Sequence, residues 1–336
     1  MKLAAVLRAP SGRHTNLKLL VALLITFATG VGSVATGSER GRWVVIGHGV
    51  AALVVVLLIP WKTRVARAGL PLHPYARWPS LLLAALTLLA VSLGLAFSTG
   101  LVRSIGPYET LWWHVAVALT LVPLLLWHLV ARWVRPRRTD LSRRVLLRAG
   151  VLGLVGGALY GTLVLLPLPG SSRRFTGSYE VSSDEPSGMP TVIWLNDTVP
   201  LVSADQWRLA VGPTSYDLAS LRSSPTAETW RVTLDCTSGW YSHQSFTGVP
   251  VSRLIGDVGD ARSIYVHSVT GYWVRLPASA RLLLAWDVGG RPLSPGHGFP
   301  LRLVAPGRRG FWWVKWVDRI ELQDTPAWWQ PPFPVT

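Results

Sequence analysis

Leu234-Asp235-Cys236-Thr237-Ser238-Gly239-Trp240, running on through Thr247-Gly248-Val249-Pro250-Val251 to Leu254-Ile255, holds the only cysteine in a chain of 336 residues. One cysteine forms no internal disulfide, so Cys236 is a spectator, an intermolecular link or a ligand. Taken alone, such a thiol is more often a small buried hydrophobe than a ligand. Its surroundings have to decide.

From residue 191 onward the pattern is short β-type runs broken by turns, at 191–195, 207–211, 230–235, 263–269, 272–276, 301–304 and 313–322. Brief helical signals lie near 217–222, 251–255 and 278–285. The spacing predicts an α+β, mostly β domain over 191–336, roughly 150 residues and large enough to bury its own core. Residues 171–190 are rich in Ser, Gly and Pro and read as a linker.

The first half is of another kind. Five apolar runs, at 17–36, 43–60, 79–99, 111–134 and 145–167, are long enough to span a bilayer. The net charge of +16 is not a nucleic-acid patch. Much of it sits before the first run (Arg8, Arg13), after the second (Lys62, Arg64, Arg67) and between the fourth and fifth (Arg135, Arg137, Arg138, Arg143), whereas basic and acidic residues nearly balance after 149. That alternation is the positive-inside signal. It predicts an integral plasma membrane protein with a cytoplasmic N-terminus and an extracytoplasmic C-terminal domain, the lipid membrane being a partner and nucleic acid not.

Histidine inside a bilayer is costly unless it has a task. His114 and His128 share the fourth run, and fourteen helical residues rise about 21 Å and turn through about 1400°, so both rings face one side near opposite surfaces. His48 enters the second run at the depth of His114, and His14 lies nearer the level of His128. Two layers of paired imidazoles suit two bis-histidine haems; interfacial or packing histidines are the plain alternative. No Cys-x-x-Cys-His occurs, so covalent haem is excluded.

This placement over residues 10–135 resembles the di-haem cytochrome b subunit of formate dehydrogenases and nickel–iron hydrogenases. The resemblance implies a four-helix transmembrane haem b domain (1–137), with one or two haems: His48 paired with His114 in the outer, His14 with His128 in the inner. Residues 138–170 then form a flank and a fifth, anchoring helix. Ser142-Arg143-Arg144-Val145-Leu146-Leu147-Arg148 is similar to a twin-arginine export signal set inside the chain, and is equally an ordinary positive-inside flank.

The second resemblance rests on four blocks in order. Leu234–Trp240 is followed by Gly248-Val249-Pro250, then by Gly296-His297-Gly298-Phe299-Pro300-Leu301-Arg302-Leu303-Val304-Ala305-Pro306-Gly307, then by Val314-Lys315-Trp316-Val317. Together they resemble the molybdopterin domain of the sulfite oxidase family. The resemblance implies Cys236 as thiolate ligand to molybdenum, with Asn196, Ser238, Gly239, His297, Arg302 and Lys315 around the pterin and its phosphate. Singly, Arg302 reads as a solvated strand residue, Lys315 as a snorkelling one and His297 as a turn residue.

One departure bears on substrate. Sulfite oxidases carry arginines just after the cysteine, and here Thr237-Ser238-Gly239-Trp240-Tyr241-Ser242-His243-Gln244 follows instead. Tyr241 and His243 are therefore expected to shape a less anionic pocket, with His243 assisting proton transfer. The combined expectation is a membrane-bound molybdenum oxidoreductase that exchanges electrons with the quinone pool through b haems and reduces a neutral S-oxide or N-oxide, a small-molecule substrate. The alternatives are oxidation of sulfite or a related anion, and a cofactor-free binding module.

Overall fold

A computed structural model describes residues 11–69, 77–132, 135, 137–193 and 198–330. The chain divides into two compact units, Met1–Ser33 with Arg40–Gly177, and Val34–Glu39 with Ser178–Thr336.

The first unit is helical: α1 (Gly12–Ala35), α2 (Arg42–Gly69), α3 (Arg77–Thr99), α4 (Thr110–Ala131) and α5 (Arg143–Leu165). All five are long and apolar enough to cross a membrane. α2 continues past Pro60 to Gly69, so Lys62, Arg64 and Arg67, which follow the second apolar run, ride on a helical extension. A hairpin of β1 (Ser104–Ile105) and β2 (Tyr108–Glu109) joins α3 to α4. α5 is more than an anchor. A Cβ on Gly156 would lie 2.9 Å from Val54 Cγ2, and one on Gly49 would lie 2.5 Å from the Tyr160 ring, so glycines let α5 and α2 approach closely.

The second unit is built on two sheets. In the first, the long strand β7 (Trp240–Pro250) pairs antiparallel with β6 (Glu228–Asp235) and β10 (Leu283–Val288), and parallel with β3 (Tyr179–Glu180). β11 (Arg291–Pro292) and β12 (Arg302–Val304) add to β10. The second sheet has the order β5 (Thr214–Tyr216), β4 (Leu209–Val211), β13 (Val317–Gln323), β8 (Ser263–Ser268), β9 (Trp273–Pro277). The short helices α6 (Leu218–Arg222) and α7 (Val251–Ile255) complete it.

Three expectations change here. The helical signal at 278–285 gives way to β10, whose Leu283, Leu284, Ala285 and Trp286 are all buried. A strand covered on both faces has no alternation, and its apolar run cannot be told from a buried helix by period. Second, the stretch read as a linker joins the sheet from Ser178: Tyr179 N donates to Gly239 O at 2.9 Å, Val181 N donates to Tyr241 O at 2.9 Å, and Met189 is buried. Third, β7 is a strand where the sequence reading placed pocket residues. Along it Trp240, Ser242, Gln244 and Phe246 are buried, while Tyr241, His243, Ser245 and Thr247 are only partly so.

The tightest approach in the first sheet is at Gly248, where a Cβ would sit 2.0 Å from Leu284 O. No side chain fits there without parting β7 from β10. Gly248→Ala is expected to destabilise the unit by about 3 kcal/mol, read as a lowered midpoint in thermal unfolding of the detergent-solubilised chain. An unchanged midpoint would show that the two strands are less closely joined.

Candidate cofactor site

Cys236 follows directly on β6, and the chain turns at once into β7. Cys236 N donates to Trp240 O at 2.8 Å and Gly239 N to Cys236 O at 3.2 Å, closing the turn. Gly239 holds φ 107°, a left-handed value that favours glycine. The thiol is buried, and the Ser238 hydroxyl, itself buried, donates to Sγ at 3.1 Å. Gly310 covers the residue from another loop, where a Cβ would lie 3.1 Å from Cys236 Cα.

Three nitrogen side chains, those of Arg302, Lys315 and His297, gather on this turn. Arg302, at the start of β12, is 2% exposed, and its Nε and Nη1 have no hydrogen-bond partner. Its guanidinium lies over the rings of Phe246, at 5.5 Å, and Trp313, at 5.7 Å. Phe246 comes from the buried face of β7, so the strand alternation aims this side of the sheet at the cation. Lys315 Nζ donates to Val192 O at 2.8 Å and Gly296 O at 2.6 Å. His297 ends the turn Pro295–His297 with Nδ1 bonded to Ser294 Oγ at 2.7 Å and Nε2 buried without a partner. Gly298 lets them converge: at φ 107°, its missing Cβ would lie 3.0 Å from Arg302 Cβ and 3.2 Å from Lys315 Cβ.

The electrostatics follow from burial. Arg302 is lowered to about 10 by desolvation, against the pull of Cys236. Lys315 falls to about 7, first by burial and then by the charge of Arg302. His297 falls to about 4 by burial, then by the charges of Arg302 and Lys315. Buried like charges with unpaired donors are unfavourable unless an anion completes them. The donor set suits a bound polyanion beside a thiolate.

The sequence-expected residues divide accordingly. Cys236, Ser238, Gly239, His297, Arg302 and Lys315 come together. Asn196 lies outside the described residues. Tyr241 and His243 do not join them, because the period of two along β7 turns them to the face opposite Phe246 and the arginine above it. There His243 Nδ1 bonds Thr233 Oγ1 at 2.9 Å, and its ring meets that of Tyr241 at 5.4 Å.

A second group escaped the sequence reading. Asp235 and Arg309 are 2% and 3% exposed, and Arg309 Nε stands 3.3 Å from Asp235 Oδ1. Arg309 Nη2 donates to Cys236 O at 2.7 Å, and Ser178 Oγ donates to Asp235 Oδ1 at 2.6 Å. The only hint was a basic pair, Arg308-Arg309, in a half otherwise near neutral.

Residues 196–329 match a family model described as an oxidoreductase molybdopterin binding domain. The second unit carries a molybdopterin-binding oxidoreductase domain. Similar proteins include a nitrate reductase [NADPH] of Phytophthora infestans, 49% identical over 98 residues, which are 25% of this chain and 11% of that protein. Human mitochondrial sulfite oxidase is 40% identical over 60 residues, 16% of this chain and 11% of that protein. The chain thus spans about a tenth of the length of these two relatives. The sulfane dehydrogenase SoxCD of Paracoccus pantotrophus aligns at 24% identity and a TM-score of 0.36, over 38% of this chain and 40% of that one.

In the first unit, the structure brings His48 and His114 together with ring centres 6.1 Å apart and planes at 85°. Their Nδ1 atoms contact Thr26 O at 2.9 Å and Ala90 O at 2.7 Å. A carbonyl only accepts, so each Nδ1 carries the proton and each Nε2 is left as a lone-pair donor. The other two histidines are not paired. His14 Nδ1 bonds Ser11 Oγ at 2.9 Å and its Nε2 lies 3.9 Å from Asp140, whereas His128 Nδ1 is buried without a partner. Among the described residues there is no ring contact between these two.

The lowered values of His297 and Lys315 set a pH dependence for the cofactor-free protein. Between about 4 and 6.5 for His297, and between about 7 and 10.5 for Lys315, the folded state holds fewer protons than the unfolded one. Stability therefore rises with pH through both windows. Protein from a host unable to make molybdopterin should melt at a higher temperature at pH 10 than at pH 7, and Lys315→Met should flatten that rise. Equal slopes in both proteins would contradict it.

Proposed function

We propose that the chain is a membrane-bound molybdenum-cofactor oxidoreductase that takes electrons from quinol through a b haem and reduces a neutral S-oxide or N-oxide outside the cytoplasmic membrane. The observation that carries the reading is Arg302, fully buried with two unpaired donors beside the sole cysteine. A cofactor-free binding module would have no use for that desolvated charge.

When bound, molybdopterin would supply the metal at which an oxygen atom and two electrons are exchanged. This chain's part is to hold it: Cys236 offers the thiolate, and Arg302, His297 and Lys315 offer donors to its anionic groups. Ser238 places a hydroxyl on the sulfur and so limits the directions it can face. The aromatic walls of Phe246 and Trp313 keep water from the guanidinium, which strengthens its hold on an anion.

The pair His48–His114 fits a haem iron. An iron bound at about 2 Å by each of two imidazole nitrogens separates the ring centres by about 6 Å, as found here. The carbonyls of Thr26 and Ala90 fix both rings in the ligating tautomer. Gly30 and Gly94 make room, since a Cβ on either would stand 3.1 Å from the ring beside it. A haem there would carry single electrons between a two-electron quinol and the molybdenum. The geometry supports one haem at this level; His14, engaged with Ser11 and Asp140, is not set to ligate a second. The absence of arginine directly after Cys236 favours a neutral substrate over sulfite.

Two substitutions test the reading. Cys236→Ser should abolish oxide reduction while leaving the haem spectrum intact. His114→Ala should remove the b-type absorption and quinol-driven turnover while leaving reduction by an artificial low-potential dye. A Cys236→Ser protein that still turns over would refute the assignment.

A further inference from the structure

The buried ion pair behind Cys236 is a group that the cofactor reading leaves without a task. The pair is an expensive way to hold a fold. Two desolvated charges generally return no more stability than a well-packed apolar pair of the same volume. Here, however, its hydrogen bonds converge on one residue. Arg309 Nη2 reaches the carbonyl of Cys236 at 2.7 Å, Asp235 is the residue before it, and Ser178 holds the Asp235 carboxylate at 2.6 Å. The backbones of Asp235 and Arg309 are also bridged, and the following Gly310 closes over Cys236. The backbone of Cys236 is thus held at its carbonyl by Arg309, and its sulfur is met by the Ser238 hydroxyl, while Arg302 lies over Phe246.

Resting on the cofactor reading above, we propose that Arg309, oriented by Asp235 and Ser178, is a positioning residue for the Cys236 thiolate: it sets where the sulfur stands when it ligates the metal. Arg309 itself touches neither substrate nor cofactor. Groups that orient a metal ligand typically matter 10- to 100-fold for metal affinity.

The test uses the full chain purified in detergent from a molybdopterin-competent host, with three readouts: molybdenum content, the Mo(V) electron paramagnetic resonance spectrum and the melting temperature. Arg309→Met should lower molybdenum content about tenfold and lower the melting temperature, because the buried Asp235 carboxylate loses its cation. The double variant Asp235→Leu with Arg309→Leu removes both charges. It should regain the melting temperature, yet keep the molybdenum loss or show a shifted, heterogeneous Mo(V) spectrum. A purely structural pair predicts that the double variant recovers all three, and that result overturns the proposal. If neither variant folds, Ser178→Ala decides: a shifted Mo(V) spectrum supports the proposal and a native spectrum rejects it. Native protein without molybdenum would instead refute the cofactor reading on which this one stands.

Discussion

A desolvated guanidinium organises the second unit. Arg302 sits 2% exposed over Phe246 and Trp313, with Nε and Nη1 unmatched by the protein. Folding an arginine into such a place is unfavourable on its own, and the neighbouring Lys315 and His297 make it more so. The arrangement becomes sensible once an anion is the missing partner. β7 supplies part of the aromatic floor, Gly298 lets Arg302 and Lys315 crowd together beside His297, and the β6–β7 turn brings the thiol to the same cluster.

The first unit obeys a parallel constraint. Within an apolar helical layer a histidine needs its ring nitrogens satisfied, and His48 and His114 each meet half of that need with a carbonyl of a neighbouring helix. The other nitrogens are left for a shared partner between two rings 6.1 Å apart. On the function proposed above, polar capacity in both units serves a bound cofactor.

Much of this was legible in the sequence, and the failures have physical causes. The five helices were plain because hydrophobic length needs no tertiary context. Cys236, His297, Arg302 and Lys315 were legible because each lies in a contiguous block. That Tyr241 and His243 lie on the other face of β7 was not legible, because β7 was not foreseen as a strand and its alternation was never applied. Matching depth along helices found His48 and His114 but could not show which way His14 faces, and Asp140 and Ser11 engage it. The pairing of Asp235 with Arg309 was out of reach, since only the fold brings two residues so distant in sequence together. Trp312 and Trp313 are buried in the core, whereas Trp328 and Trp329 are exposed.

The most direct test is the metal content of the detergent-purified protein from a host that makes both cofactors. One iron and one molybdenum per chain is the predicted result, the iron released by loss of His48 or His114 and the molybdenum by loss of Cys236. A chain that carries no molybdenum would contradict the account at its centre.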